Sequence, residues 1–227
     1  MTGGAGVRHA APRVKVCCIS SVAEATLAVA HGASAVGLVS RMPSGPGPID
    51  DALIATIIAA VPPPVATFLL TSATDAVTII DQQHRLRPTT LQLVDHVEPS
   101  LHRALRDALP GTRLVQVVHV EDEGSLAYAC RVAETADALL LDSGRLTAPV
   151  RELGGTGRTH DWSLSRRIRD ACGRPVFLAG GLHAGNVAAA IHAVAPFGVD
   201  LCTGVRTDGR LDAAKLSAFM TCVHTTA

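Results

Sequence analysis

Two places in this chain put acid–base residue types at the ends of apolar runs. One is the cysteine pair of Lys15-Val16-Cys17-Cys18-Ile19, and the other is the aspartate of Ala138-Leu139-Leu140-Leu141-Asp142-Ser143. A thiol whose pKa is lowered by its surroundings can take a proton from carbon; otherwise a cysteine in such a run is a small apolar packer. Neighbouring residues of an extended strand face opposite sides, so only one of Cys17 and Cys18 is expected to point into a site. An aspartate ending a greasy strand is costly to bury without a task. It can orient a loop, bind a ligand hydroxyl, or act as a general acid if its pKa is raised.

A second kind of chemistry needs no side chain. In Leu178-Ala179-Gly180-Gly181-Leu182, with Asn186-Val187 following, a short apolar run meets two glycines just before a helical pattern. Glycines at a strand-to-helix turn let backbone N–H groups approach an anion beside the positive end of a helix. The device recurs one strand later at Thr203-Gly204. Paired glycine turns after the last two strands are the usual phosphate site of a (β/α)8 barrel. Gly154-Gly155-Thr156-Gly157 is a weaker signal, because it lacks the Lys-Ser/Thr ending of a P-loop. Asp161, immediately before Trp162, is placed to cap a helix. Among the 10 histidines only His119 has an active-face position, and none shows metal-ligand spacing.

Short β-branched runs that could carry these residues alternate with helix-length segments. The expected strands are Val14–Ile19, Ala35–Ser40, Val65–Leu70, Thr90–Val94, Leu114–Val120, Ala138–Ser143, Pro175–Ala179 and Val199–Thr203. Helical patterns are expected between them at Val22–His31, Asp50–Val61, Asp75–Leu86, Pro99–Leu109, Glu123–Thr135, Trp162–Cys172, Gly185–Val194 and Asp212–Val223. Strict alternation implies a parallel sheet with right-handed crossovers. Eight units argue for closure into a single α/β domain, a (β/α)8 TIM barrel over residues 13–227, where five or six would suit an open sheet. Met1 to Pro12 has no apolar signal core and reads as a flexible lead-in. Two connections are long, Arg41 to Ile49 with its three prolines and Gly144 to His160, and both follow strand C-terminal ends.

Composition narrows the function classes. The 227 residues carry 20 basic and 20 acidic side chains, so no global field attracts nucleic acid or a membrane surface. Aromatics make up 3% of the chain, too few for single-strand stacking platforms. No apolar run reaches the ~18 residues of a membrane span. The six cysteines form no C-x-x-C pair, which favours free thiols in a reducing cytosol.

Taken together, Lys15-Val16-Cys17, Leu140-Leu141-Asp142-Ser143, Gly154-Gly155-Thr156-Gly157 with Asp161-Trp162, and Leu178-Ala179-Gly180-Gly181-Leu182 with Asn186-Val187 resemble the phosphoribosylanthranilate isomerase family. Val199-Asp200 and Thr203-Gly204-Val205 are similar to its final strand. The resemblance implies a cofactor-independent Amadori rearrangement of a small phosphorylated sugar-amine. Carried over, Cys17 is the general base at sugar C2 and Asp142 the general acid at the ring oxygen. The backbone near Gly155, Gly180, Gly181, Thr203 and Gly204 then holds the phosphate.

The chain departs from the family pattern at four points. The family has glycine where this chain has Cys18. Its Ser-x-Arg, which supplies an arginine for the anthranilate carboxylate, reads Ser44-Gly45-Pro46 here. Its Gln-Leu-His-Gly reads Gln92-Leu93-Val94-Asp95, and its Gly-Val-Glu reads Gly204-Val205-Arg206. Arg41 and Arg206 are the candidates to replace the lost arginine, with His119 a further substrate contact. Two alternatives stand beside the isomerase: a paralogue rearranging a different glycosylamine, and a barrel that binds a phosphorylated ligand without turning it over.

Overall fold

The computed structural model describes residues 11–43, 45–144 and 157–226. Its strands are β1 Arg13–Val16, β2 Ala35–Val39, β3 Ala66–Thr71, β4 Thr90–Leu93, β5 Arg113–His119, β6 Ala138–Asp142, β7 Val176–Leu178 and β8 Gly198–Leu201. The helices between and after them are α1 Val22–Ala30, α2 Asp51–Ala60, α3 Ala76–Leu86, α4 Pro99–Ala108, α5 Gly124–Ala133, α6 Trp162–Cys172, α7 Val187–Val194 and α8 Ala213–Thr225. All eight strands pair in parallel in sequence order, and β1 closes on β8 in the register Lys15↔Asp200. The expected TIM barrel is present.

Local chemistry explains the boundaries. Ser21, Asp50, Asp75, Asp161 and Asp212 each accept hydrogen bonds from amides of the first helical turn, satisfying donors that a helix start leaves unpaired. The strands alternate. Val14 and Val16, Leu139 and Leu141, and Val199 and Leu201 face the helices in the outer core. Cys17, Phe68, Val115, Val117, Leu140, Phe177 and Ala179 fill the barrel interior. By the same parity Lys15, Asp142 and Asp200 point inward.

Two differences from the expected elements bear on the site. The first strand stops at Val16, because Cys18 adopts a left-handed backbone (φ 59°) that ends the extended run. After β8 the chain forms a short 3-10 turn, Thr203–Val205, then a small antiparallel hairpin of β9 Arg206–Thr207 and β10 Arg210–Leu211.

Candidate active site

The C-terminal strand ends surround a cavity that opens to solvent. Cys17 and Asp142 both line it. Asp142 arrives by strand parity at the end of β6, where its Oδ1 accepts the Ser143 amide at 2.7 Å. Cys17 lies one step beyond β1 on the inward side, its Sγ beside Gly37. A Cβ on Gly37 would lie 2.8 Å from that sulfur and 3.0 Å from Lys15 Nζ. Gly37 therefore makes room for two inward side chains at once.

Cys18 lines the cavity too, against the expectation that only one thiol would. The left-handed backbone takes it out of the two-residue alternation and turns its side chain inward. That region costs an L-residue on the order of 1 kcal/mol and a glycine nothing, which accounts for the glycine of the family pattern. The wall loop packs on Cys18: a Cβ on Gly47 would lie 2.7 Å from its Cβ, and its Sγ donates to Pro46 O at 3.7 Å.

The glycine turns converge on the rim between β6 and β1. Gly180, Gly181, Leu182 and Thr203 line the cavity together with Gly157. Gly180 (φ 83°) and Gly181 (φ 61°) use the left-handed region. Backbones approach so closely that a Cβ on Gly181 would lie 2.7 Å from Gly157 O, and one on Gly204 only 2.0 Å from Leu182 O. None of the described hydrogen bonds uses the amides of Gly180, Gly181 or Leu182. Such a cradle of close backbones suits an anion. Gly155 lies outside the described residues, as does Ser44.

A family model described as "N-(5'phosphoribosyl)anthranilate (PRA) isomerase" matches residues 14–222. The chain belongs to the PRA isomerase family. It is 36% identical to the N-(5'-phosphoribosyl)anthranilate isomerase of Halorubrum lacusprofundi, with 92% of this chain and 94% of that protein covered. It is 35% identical to the one from Methanocella arvoryzae, covering 87% and 91%. Among solved structures, phosphoribosyl anthranilate isomerase from Thermotoga maritima superposes with a TM-score of 0.79 at 30% identity, covering 94% of this chain and 99% of that one. Another, at TM-score 0.76 and 28% identity, covers 94% and 99% and is a complex with reduced 1-(O-carboxyphenylamino)-1-deoxyribulose 5-phosphate.

Three residues expected at the substrate of this PRA isomerase family member lie elsewhere. Arg206 is not in the cavity lining, because its guanidinium is committed. It pairs with both oxygens of Glu24 at 2.9 and 3.1 Å and donates to Gly209 O and to the carbonyls of Cys17 and Cys18. Glu24 also accepts the Leu211 and Ser20 amides. The arginine thus bolts the β9–β10 hairpin and α1 to the end of β1, and it holds the backbone of the two cysteines at the site. Arg41 is exposed beyond β2, while its neighbour Met42 reaches the cavity. His119 follows the inward parity of β5, but its Nε2 donates to Val94 O at 2.9 Å and it borders a separate pocket with His96 and Tyr128.

Other polar residues are placed where sequence reasoning had not assigned them a role. Lys15 is fully buried and its Nζ meets Asp200 Oδ2 at 2.8 Å, over the Phe68 ring. Burial opposes the charge on Lys15, but the Asp200 carboxylate outweighs it and holds the ammonium above the usual lysine range. Asp200 Oδ1 and Gln92 Oε1 are buried without a hydrogen-bond partner among the described residues, and both side chains line the cavity. A polar residue at inward parity in an apolar strand was the available signal. Among the described residues no group of three His, Cys, Asp or Glu could hold a metal, and no helix is long and apolar enough to cross a membrane.

Proposed function

We propose that this chain catalyses the reaction its family is named for, the Amadori rearrangement of N-(5'-phosphoribosyl)anthranilate, with Cys17 as base and Asp142 as acid. Asp142 gives a proton to the ribose ring oxygen, the C1–O bond breaks, and the nitrogen lone pair forms the C1=N Schiff base. Cys17, as thiolate, removes the proton from C2, and the electron pair moves through C1 to nitrogen to give an enaminol. Proton transfer from the C2 hydroxyl to C1 then leaves the 2-ketone of a 1-amino-1-deoxyribulose phosphate. Protons only change places, so the step consumes no redox partner. The phosphate sits on the backbone amides of the Gly180–Leu182 turn and the turn at Thr203-Gly204, which fixes the sugar between acid and base.

The observation that carries this reading is that Cys17 and Asp142 line one cavity, with the glycine cradle on the two strands between theirs. Complementation of a tryptophan auxotroph lacking the isomerase tests it. Growth that disappears with Cys17→Ala and with Asp142→Ala supports the assignment; growth that survives either one refutes it.

A second reading draws on the wall opposite the cradle. There Met42, Pro46, Leu70 and Val94 present an apolar surface, and the described lining contains no Lys, Arg or His. A carboxylate buried there would stand unpaired, whereas an amine with a neutral substituent would not. The same rearrangement on such a glycosylamine gives a higher kcat/KM with N-(5'-phosphoribosyl)aniline than with the anthranilate; the opposite order returns the first reading. The free cysteines support a cytosolic location.

A further inference from the structure

The cavity has no cation in its described lining: Asp142 and Asp200 border it, and the cradle offers backbone groups alone. A phosphate monoester carries close to two negative charges at neutral pH, so a positive charge near the cradle favours its binding. His160 stands in the place such a charge would occupy. It lies in the β6–α6 connection, one residue before the Asp161 cap of α6. A Cβ on Gly180 would lie 3.0 Å from His160 Nδ1 and 3.2 Å from Ser143 Oγ, so the ring backs on the first glycine of the turn. Its Nε2 is 2.7 Å from the Oγ of Ser165, a fully buried residue of α6, and this contact fixes the ring. Nδ1 is buried and has no hydrogen-bond partner among the described residues. The acid–base steps at Asp142 and Cys17 leave this ring without a role.

We propose that His160 is the counter-charge of the anion cradle, its ring taking up a proton when a dianion binds on the Gly180–Leu182 turn. It is a positioning residue that acts from behind the turn. The inference rests on the cradle reading of the site and not on turnover. The surroundings set its sign. Burial holds the ring below the ordinary 6.5, against the pull of Asp142 and Asp161. Glu121, Asp122 and Glu123 after β5, with Arg158, border the same groove as the ring, and Arg167 of α6 pairs with Glu123. A dianion at Gly180 adds negative charge on the remaining side and favours the protonated ring. The pKa with the anion bound therefore lies above that of the free protein. Binding tightens as pH falls through the bound value and levels off below the free one. Two other basic side chains lie near the cradle. The exposed Arg158 keeps its charge throughout this range. His183 is exposed, its Nδ1 accepts the Gly185 amide at 3.1 Å, and its Cβ borders Gly204.

The test is calorimetric titration of the full-length protein with sulfate, which stays dianionic over the whole range. Repeating it near pH 6 in buffers of different ionisation enthalpy counts the protons taken up. About half a proton per sulfate is expected, with affinity about threefold or more tighter at pH 5.5 than at pH 7.5. Weaker binding in Gly204→Ala is expected too, which ties the sulfate to the cradle. His160→Phe keeps the ring volume and His160→Gln keeps a polar reach toward Ser165; both should bind sulfate without proton uptake and with nearly constant affinity. Uptake that persists in both variants belongs to Asp142 or Asp200 and overturns the proposal. Uptake lost in His183→Asn but kept in the His160 variants overturns it as well, as does binding by the parent without uptake. Sulfate that fails to bind, or that Gly204→Ala binds as well as the parent, removes the cradle and with it both this inference and the proposed function. Proton uptake that depends on His160 in a protein without isomerase turnover refutes the proposed function alone.

Discussion

Lys15 and Asp200 are register partners on β1 and β8, the seam where the barrel closes, and their side chains meet inside it at 2.8 Å. The ammonium also stands beside the Cys17 sulfur, since both would touch a Cβ on Gly37. One oxygen of Asp200 is spent on the lysine, and the other, at the cavity, has no hydrogen-bond partner among the described residues. The seam therefore carries a charge pair beside Cys17, the proposed base.

Breaking that pair from one side should be costly. Lys15→Met leaves a buried carboxylate uncompensated and is expected to lower unfolding free energy by roughly 3–5 kcal/mol. The double variant Lys15→Met/Asp200→Leu removes both charges and should recover most of the loss. Urea unfolding of the four proteins completes the cycle. Single and double variants that are equally destabilised would show that the pair contributes through packing alone.

Glu24 and Arg206 give a pH dependence of definite sign. Burial acts to raise the Glu24 carboxyl, but the hydrogen bonds from Arg206, Leu211 and Ser20 prevail and hold it below its ordinary value of 4.5. A depressed carboxylate stabilises the fold above that ordinary value, and the contribution is lost as pH falls through the lower folded value. Thermal unfolding from pH 6 to 3 should therefore show a smaller acid-induced drop in Tm for Glu24→Gln than for the parent. The same variant frees Arg206 from the end of β1, so kcat should fall several-fold even at pH 7.

His102 acts in a higher window. It is fully buried on α4, with Nε2 donating to Gln116 Oε1 at 3.0 Å and Nδ1 lying 2.8 Å from Thr135 Oγ1. Burial first, with the nearby Arg106 charge adding to it, lowers its pKa below the ordinary 6.5 in spite of the Gln116 bond. The unfolded chain takes up the proton first, so stability is full above 6.5 and declines as pH drops below it. His102→Gln should weaken that decline, which falls by at most ~1.4 kcal/mol per pH unit for one group. An unchanged slope between pH 6.5 and 5 would assign the dependence to another histidine such as His160, which burial shifts in the same direction.

The fold was legible because its determinants are local. Eight apolar runs, eight helical repeats and the Asp and Ser caps are each readable within a dozen residues, and strand parity alone turns Asp142 inward. The site was legible in outline for the same reason: Cys17, Asp142 and the twin glycines sit at strand ends. What was not legible depends on single dihedral angles or distant partners. Parity holds only while the strand lasts, so the left-handed Cys18 defeated it, and both thiols face the cavity. Arg206 and Glu24 are 182 positions apart, and Lys15 and Asp200 185 apart. Sequence can name such charges but cannot show that they consume one another. Arg206 therefore looked free for substrate when it is bound to the backbone of the two cysteines.

Two glycines separate binding from chemistry. A Cβ at Gly204 would lie 2.0 Å from the Leu182 carbonyl, which is backbone, so the turn itself must move. A Cβ at Gly37 would instead press on Cys17 Sγ, 2.8 Å away, and on Lys15 Nζ, leaving the glycine cradle untouched. Gly204→Ala should raise KM for the phosphorylated substrate about tenfold, a loss of roughly 1.4 kcal/mol of binding, with kcat changed much less. Gly37→Ala should lower kcat at least as much with KM nearly constant, since it misplaces the base after the phosphate is seated. Inhibition by inorganic phosphate separates the two without turnover: it should weaken in Gly204→Ala and persist in Gly37→Ala. If phosphate inhibits both variants as it does the parent, the anion is held somewhere other than the turns after β7 and β8.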